Sequence, residues 1–446
     1  MKKNELHILI VDATILLAKC ASRLLNYNMK AITTSLACLL CLNIVGQNST
    51  EQLKYTVSNP SPHDKANVPI VLNLTAEQQA AHYQSATVCV WDEDTQAEVE
   101  IPSQLDDLDG DGLNEELVFL LDIPNREERE VTIELSQTAK PDRYPAQVFA
   151  EMLLSDKQKG HKPIQSLTVP GDVNVYNNLH HHGPAFESKL VAYRLYFDER
   201  QTVDIYGKRK QQLEIEQTQF YPTPEHLADG YGDDILWAGT TCALGTFRGY
   251  TDGKPSYIQP VKSRTERILA YGPLRTVVEI HDEDWYYGRQ PLDLTLRYTL
   301  YGGHRDVQVD VCIKGDKPLD DPFCTGLIKV DNFQAYTDHI GTAAVWGDNW
   351  PAGKKDTLNR KKEILGMAVS IPQRNVIGEP DNAENILYLL GDKARSRSKE
   401  LSFTYHIAFV SDKEEQSRIH SAEDWFRWVE AWVQQLKNPI EIKKDE

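Results

Sequence analysis

Leu292, Leu294, Leu296, Tyr298 and Leu300 alternate with Asp293, Thr295, Arg297, Thr299 and Tyr301. After the turn Gly302-Gly303-His304-Arg305-Asp306 the same period of two resumes at Val307, Val309 and Val311. A period of two sends successive side chains to opposite faces of a pleated strand, so this stretch predicts two long antiparallel strands with one apolar and one polar face. Residues 190–197 and 203–208 repeat the pattern around the turn Asp198-Glu199-Arg200-Gln201. Long strands of this kind predict large stacked sheets, and the polar face of such a sheet can floor a substrate groove.

Nearer the start the strands are shorter. β-branched runs beginning at Tyr55, Ile70, Thr87, Glu116 and Arg129 are separated by Pro, Asn, Asp and Gly, a spacing that fits a β-sandwich. A Lys/Pro/Asp-rich connector at 138–145 marks a boundary. Near the other end Ser421 is a natural N-cap, and Trp425, Val429, Trp432 and Leu436 form the apolar stripe of a helix that packs on a sheet. The predicted fold is all-β: an N-terminal β-sandwich over 47–140, then a large antiparallel β-supersandwich over 146–446, with a C-terminal helix.

The formal net charge of −18, from 66 acidic and 48 basic residues, argues against nucleic acid as a partner. The 20 Tyr and 8 Trp among 446 residues point instead to sugars, whose faces stack on aromatic rings. Met29-Lys30, the apolar run 31–45 and Gly46-Gln47 have the layout of an export signal. The expected start is Met29, with cleavage near Gly46 and a periplasmic or extracellular mature chain. No further apolar stretch reaches membrane-spanning length. Removal of the signal leaves Cys89, Cys242, Cys312 and Cys324; Cys312 and Cys324 flank a loop and can pair in an oxidising compartment, although buried free thiols are the favoured reading.

The candidate chemistry centres on His180-His181-His182, just before the turn signal Gly183-Pro184. Imidazoles titrate near neutrality, so such a cluster can hold a metal or move protons. Tyr193 and Arg194 follow on the next strand. Asp107, Asp109, Asp111 and Glu115, with Gly112 at the tight bend, have the oxygen spacing of a loop that wraps Ca²⁺, here structural and leading into a strand. Loop residues Tyr221 to Asp234, the group His281 to Tyr287 and the group Trp346 to Pro351 mix aromatic rings with hydrogen-bonding groups, as a sugar site requires. There is no nucleophile elbow, phosphate loop or dinucleotide fingerprint, so no nucleotide cofactor is expected.

The runs His181-His-Gly-Pro-Ala-Phe-Glu, Val191-Ala-Tyr-Arg-Leu-Tyr-Phe-Asp, Val203-Asp-Ile-Tyr-Gly-Lys and Gly230-Tyr-Gly-Asp-Asp-Ile-Leu resemble domain-of-unknown-function family 4861, as does Asp107-Leu-Asp-Gly-Asp-Gly. The resemblance covers nearly all of the mature chain. It implies a secreted protein of bacterial glycan-degradation clusters, near uronate-acting lyases and unsaturated-glycuronyl hydrolases, and akin to an oligosaccharide dehydratase. It supplies no catalytic residues.

The leading expectation is therefore elimination on a uronate-containing oligosaccharide. Such a reaction needs a cation at the sugar carboxylate, a base for the C5 proton and an acid for the leaving oxygen. Arg194, a histidine of 180–182 and Tyr206 are the candidates, with Asp233 and Asp234 close by. Tyr193, Tyr196, Tyr231, Trp285, Tyr286, Trp346 and Trp350 are the expected sugar contacts. The alternatives are a glycoside hydrolase using paired carboxylates from Asp233, Asp234 and Glu187, and a carbohydrate-binding protein without catalysis.

Overall fold

A computed structural model describes residues 50–445 apart from 94, 142, 157–159, 354–360 and 394–397. The expected export signal lies outside the described residues. Residues 50–446 form one compact unit, and its described elements are overwhelmingly antiparallel strands, so the fold is all-β.

The N-terminal portion is two facing sheets. One contains Thr50–Ser58, Ser85–Asp92, Ala97–Ile101 and Glu128–Ser136; the other contains Lys65–Asn73, Ser103–Asp106 and Glu116–Ile123. Alternate residues of both, including Val57, Ile70, Val88, Leu117, Phe119, Val131 and Ile133, are buried in a shared core. The helix Ala422–Lys437 does not close the chain. Strand Glu441–Lys444 follows it and pairs antiparallel with Thr50–Ser58, completing the first sheet from the far end of the sequence.

The larger portion is built on a nine-stranded antiparallel sheet. Its centre is the pair predicted from the alternation, Gln290–Tyr301 and Asp306–Gly315, in register Leu296↔Val311 and Tyr298↔Val309. The inner face packs through Leu294, Leu296, Leu300, Val307 and Val309 onto two five-stranded sheets. Part of the outer face is covered by the helix, where Trp425, Val429 and Trp432 meet Ala344, Trp346, Ala368 and Val410. Gly366 has no side chain because a Cβ there would lie 2.8 Å from the Trp425 ring.

One of the two smaller sheets carries the histidine loop. It comprises Val148–Glu151, Ala185–Ser188, Val191–Leu195, Val203–Gly207 and Asp233–Asp234. Ala150, Phe186, Val191, Tyr193, Leu195, Val203 and Ile205 face the nine-stranded sheet. The register Ala185↔Glu151, Ala185↔Arg194, Arg194↔Asp204 and Tyr206↔Asp234 places the intervening residues together on the other face. That second face is polar, and it holds the candidate site.

Candidate functional site

The histidine loop is tied to the end of the neighbouring strand. Phe197 N–H donates to His182 O (2.8 Å) and Leu195 N–H to Pro184 O (3.0 Å). The approach is close enough that a Cβ on Gly183 would sit 1.9 Å from Leu195 O, so this position accepts only glycine. His181 (φ 53°) and His182 (φ 67°) are both in the left-handed region, a costly conformation for non-glycine residues and one that concentrates at functional sites.

The three imidazoles have different surroundings. His182 stacks on Tyr176 (3.6 Å between centroids, 6° between planes), and its Nδ1 is 2.8 Å from Tyr176 O. His180 stacks on His161 (3.8 Å) and meets the edge of Tyr221 (5.3 Å). His181 is fully buried, with Nε2 3.0 Å from Glu151 Oε1. That approach is off the hydrogen-bonding direction, so both ring nitrogens and Glu151 Oε1 lack a hydrogen-bond partner. Burial, followed by nearby positive charge, lowers His180 to about 4. Burial and then Arg194 lower His181 to about 3. Burial and then Glu216 push Glu151 up to about 8. At neutral pH the cluster therefore holds unprotonated imidazoles beside a protonated carboxyl.

Arg194 forms the other half of the site. Its Nε and Nη2 donate to Asp204 Oδ2 (2.8 and 2.6 Å), Nη2 also to Asp234 Oδ2 (3.0 Å) and Tyr196 Oη (3.2 Å), and Nη1 to Tyr221 Oη (3.0 Å). Phe220 lies under the guanidinium at 4.4 Å. Burial and then the charge of Asp204 raise the Asp234 carboxyl, which Arg194 offsets only in part. Arg194 is 4% exposed, and its nitrogens are engaged with Asp204, Asp234, Tyr196 and Tyr221, with one Nη1 hydrogen left over, so the guanidinium is enclosed among these partners and is not presented to a sugar carboxylate. This corrects the role expected for it.

Other expectations are corrected by burial. Tyr206 is fully buried among Ala185, Ala192, Ile215 and Phe220, with Thr218 and Glu214 beside its hydroxyl, so it is no solvent-facing acid. Tyr193 faces the core and donates to Arg305 O (2.6 Å). Trp285 stacks on Tyr287 (4.6 Å) inside the main core, and Trp346 lies under the helix; neither ring can meet a sugar. Glu187 is spent on Lys208 and on the backbone N–H groups of Glu214 and Ile215, which removes it as a hydrolytic carboxylate. Asp233 and Asp234 alternate across their strand. Asp234 meets Arg194, while Asp233 and Tyr231 line a cleft of about 500 Å³ with Arg209, Lys361, Lys362 and Lys413. Tyr286 is exposed, and Trp350 has Lys362 Nζ 5.8 Å from its ring.

The residues that the structure adds are Glu151, His161, Tyr176 and Asp204. Asp204 had a sequence signal: it falls in phase with Tyr206 on an alternating strand, opposite Arg194. Glu151 had none, because it comes from a short strand thirty residues upstream of His181 in the chain.

In the acidic loop, ligand oxygens of Asp107, Asp109, Asp111 and Glu115 all lie within 4.8 Å of one another. Asp107 accepts from the N–H groups of Gly110 (2.7 Å) and Gly112 (2.8 Å), both at positive φ. Burial raises Glu115; a hydrogen bond from Leu108 N–H opposes this, and the charges of Asp109, Asp107 and Asp111 add to the rise. That mutual repulsion is what a hard cation relieves, so the donor set fits Ca²⁺. Arg275 of the nine-stranded sheet grips both strands at the loop's base, through Asp106 (2.7 Å) and Glu116 (2.5 Å).

Fold and site together define an all-β sandwich protein with a histidine- and carboxylate-bearing sheet face. The chain belongs to the family described as domain of unknown function (DUF4861), which it matches over residues 57–442. No curated protein matches it. Among solved structures it is similar to a protein in glycosyl hydrolase family 38 from Enterococcus faecalis, at 8% identity and a TM-score of 0.44 over 89% of this chain and 47% of that one. It is also similar to an alpha-mannosidase from Enterococcus faecalis V583, at 10% identity and a TM-score of 0.41 over 89% and 46%. The chain spans about half the length of these proteins. No helix among the described residues is long and apolar enough to cross a membrane.

Proposed function

We propose that this is an exported carbohydrate-active enzyme that eliminates across C4–C5 of a uronate-containing oligosaccharide, with Ca²⁺ held structurally in the acidic loop. The observation that carries this reading is the His180–Tyr221 pair. An unprotonated imidazole and a neutral phenol stand 5.3 Å apart at the accessible edge of a buried acid–base network.

In the proposed reaction His180 removes the C5 proton and Tyr221 protonates the departing C4 oxygen. The hydrogen bond from Arg194 to Tyr221 Oη supports the phenolate left behind. The protonated carboxyl of Glu151 supplies the neutralising hydrogen bond to the sugar carboxylate that Arg194 cannot. An imidazole that titrates near 4 is a weak base at neutral pH; burial is the first cause of that depression, and the positive charge of Arg194 adds to it. A bound carboxylate opposes that charge and raises the basicity of the ring in the complex.

A second reading, hydrolysis, is favoured by Asp234, a raised carboxyl about one guanidinium away from the Asp204 carboxylate. Incubation with uronate oligosaccharides in labelled water separates the two. Elimination gives the ultraviolet absorbance of a conjugated uronate and no label; hydrolysis gives a labelled reducing end and no absorbance. Binding without either product sinks both and leaves a carbohydrate-binding protein.

A further inference from the structure

Away from the histidine face, the second of the smaller sheets buries two thiols side by side. Cys242 and Cys324 are fully enclosed and pack together with Leu387. They are hydrogen-bond neighbours of one another. Each is also held by its surroundings: Cys242 N–H donates to Asn385 Oδ1 (2.8 Å), and Cys324 Sγ lies 3.2 Å from Gly249 O. Cys242 O accepts from Thr246 N–H (2.9 Å), a turn that brings the first cysteine alongside the strand carrying the second.

Arg248, directly opposite Cys324 in the sheet register, is also buried. Its donors reach only the oxygens of Thr241 (3.4 Å), Phe247 (3.5 Å) and Thr202 (3.5 Å); its Nε has no partner, and the Tyr257 ring lies 5.4 Å away. A guanidinium held so loosely away from water favours negative charge beside it, and the groups beside it are the two thiols.

We infer that Cys242 and Cys324 are a dithiol that closes into a disulfide when the chain meets an oxidising thiol–disulfide partner, fastening the segment 242–248 to the strand Phe323–Ile328. The two thiols are unequal. The hydrogen bond from Cys324, and then Arg248, hold Cys242 below the usual thiol range, whereas burial pushes Cys324 up. As the pocket assembles, and before it closes over the sulfurs, the Cys242 thiolate attacks the partner's disulfide, forming a mixed disulfide and expelling one partner thiolate. Cys324 then loses its proton and attacks Cys242 Sγ, expelling the second partner sulfur. Two protons and two electrons leave the protein, and the partner becomes a dithiol.

The cross-link bears on the site through Thr246, whose Oγ1 accepts from Val203 N–H (3.0 Å) at the start of the strand that carries Asp204. It also differs from both readings of the sequence, buried free thiols as the favoured one and a Cys312–Cys324 pair as the alternative. Cys312 lies on the outer face of the nine-stranded sheet, opposite Ser402, while Cys324 points into the Cys242 pocket.

The test is to refold the full chain in reduced and oxidised glutathione, quench with N-ethylmaleimide and map peptides without reduction. A peptide linking Cys242 to Cys324, two hydrogens lighter than its separate parts, is expected, with Cys89 and Cys312 alkylated. Alkylation of both Cys242 and Cys324, or a link from Cys324 to Cys312, overturns the inference. Wild-type protein refolded under a phosphine reductant should also melt several degrees lower than oxidised protein, while a C242S/C324S variant melts the same either way. Equal wild-type melting in both conditions likewise overturns it. Neither measurement involves a sugar, so failure here leaves the proposed elimination untouched, and failure of the elimination leaves the disulfide standing.

Discussion

Glu151 Oε1 stands 3.0 Å from His181 Nε2, and the fold keeps both groups uncharged at neutral pH. A protonated carboxyl thus stands beside an unprotonated ring, close to it but without a hydrogen bond between the two. Separately, either group would be an ordinary titrating side chain.

That pair sets the pH dependence of stability. The Glu151 carboxyl is raised from 4.5 to about 8, so its contribution is complete below 4.5 and is lost as pH climbs toward 8. The His181 imidazole is lowered from 6.5 to about 3, so its contribution is present above 6.5 and is lost as pH falls toward 3. The two slopes oppose each other between 4.5 and 6.5, and above 6.5 the Glu151 carboxyl acts in the same direction as that of Asp234, which is also pushed up to about 8. Between pH 6.5 and 8 Glu151 should contribute up to about 1.4 kcal/mol per pH unit to the loss of wild-type stability, and Glu151→Gln should make that decline shallower. Urea midpoints that fall equally in both proteins would refute the assignment.

His180→Ala and Tyr221→Phe should each lower turnover by about 10²- to 10⁴-fold. Both side chains reach the surface, so melting temperatures should move little. His181→Ala, by contrast, empties a fully buried position and should cost stability as well as rate. Steady-state absorbance assays paired with thermal melts check the contrast.

Arg194→Met should destabilise the protein by roughly 3–5 kcal/mol, because it leaves the Asp204 carboxylate buried without its partner. Denaturant unfolding measures this. A variant of normal stability that binds acidic substrate poorly would instead mean that the guanidinium serves the sugar directly.

Chelation should lower the melting temperature of wild-type protein, and Asp109→Ala should abolish the response. A cation at 100 times its dissociation constant adds about 2.7 kcal/mol. Melting that ignores both chelator and added Ca²⁺ would leave the loop a metal-free turn.

Periodicity made the sheets legible. The alternation from Leu292 to Val311 predicts the central strand pair, and the Ser421 cap predicts where the helix begins. What periodicity cannot supply is the identity of the surface that covers a strand. Trp285 and Trp346 have the polar company of sugar contacts in sequence, yet one is sealed inside the main sandwich and the other lies beneath the helix. Tyr193 and Arg194 are neighbours in sequence and face opposite ways, a conflict already visible from the two-residue period. The partnership of His181 with Glu151 had no such sign, since it arises from lateral strand order rather than local pattern.

Strand Glu441–Lys444 also imposes an order in time. Thr56 Oγ1 bonds Asp445, 389 residues away, and the flanking backbone pairs Tyr55 with Lys444. During synthesis the outer edge of Thr50–Ser58 stays unpaired until residues 441–445 have emerged, open to pairing with another chain. Whatever holds the nascent chain must guard that edge over the whole interval, and loss of residues 441–445 would expose it permanently.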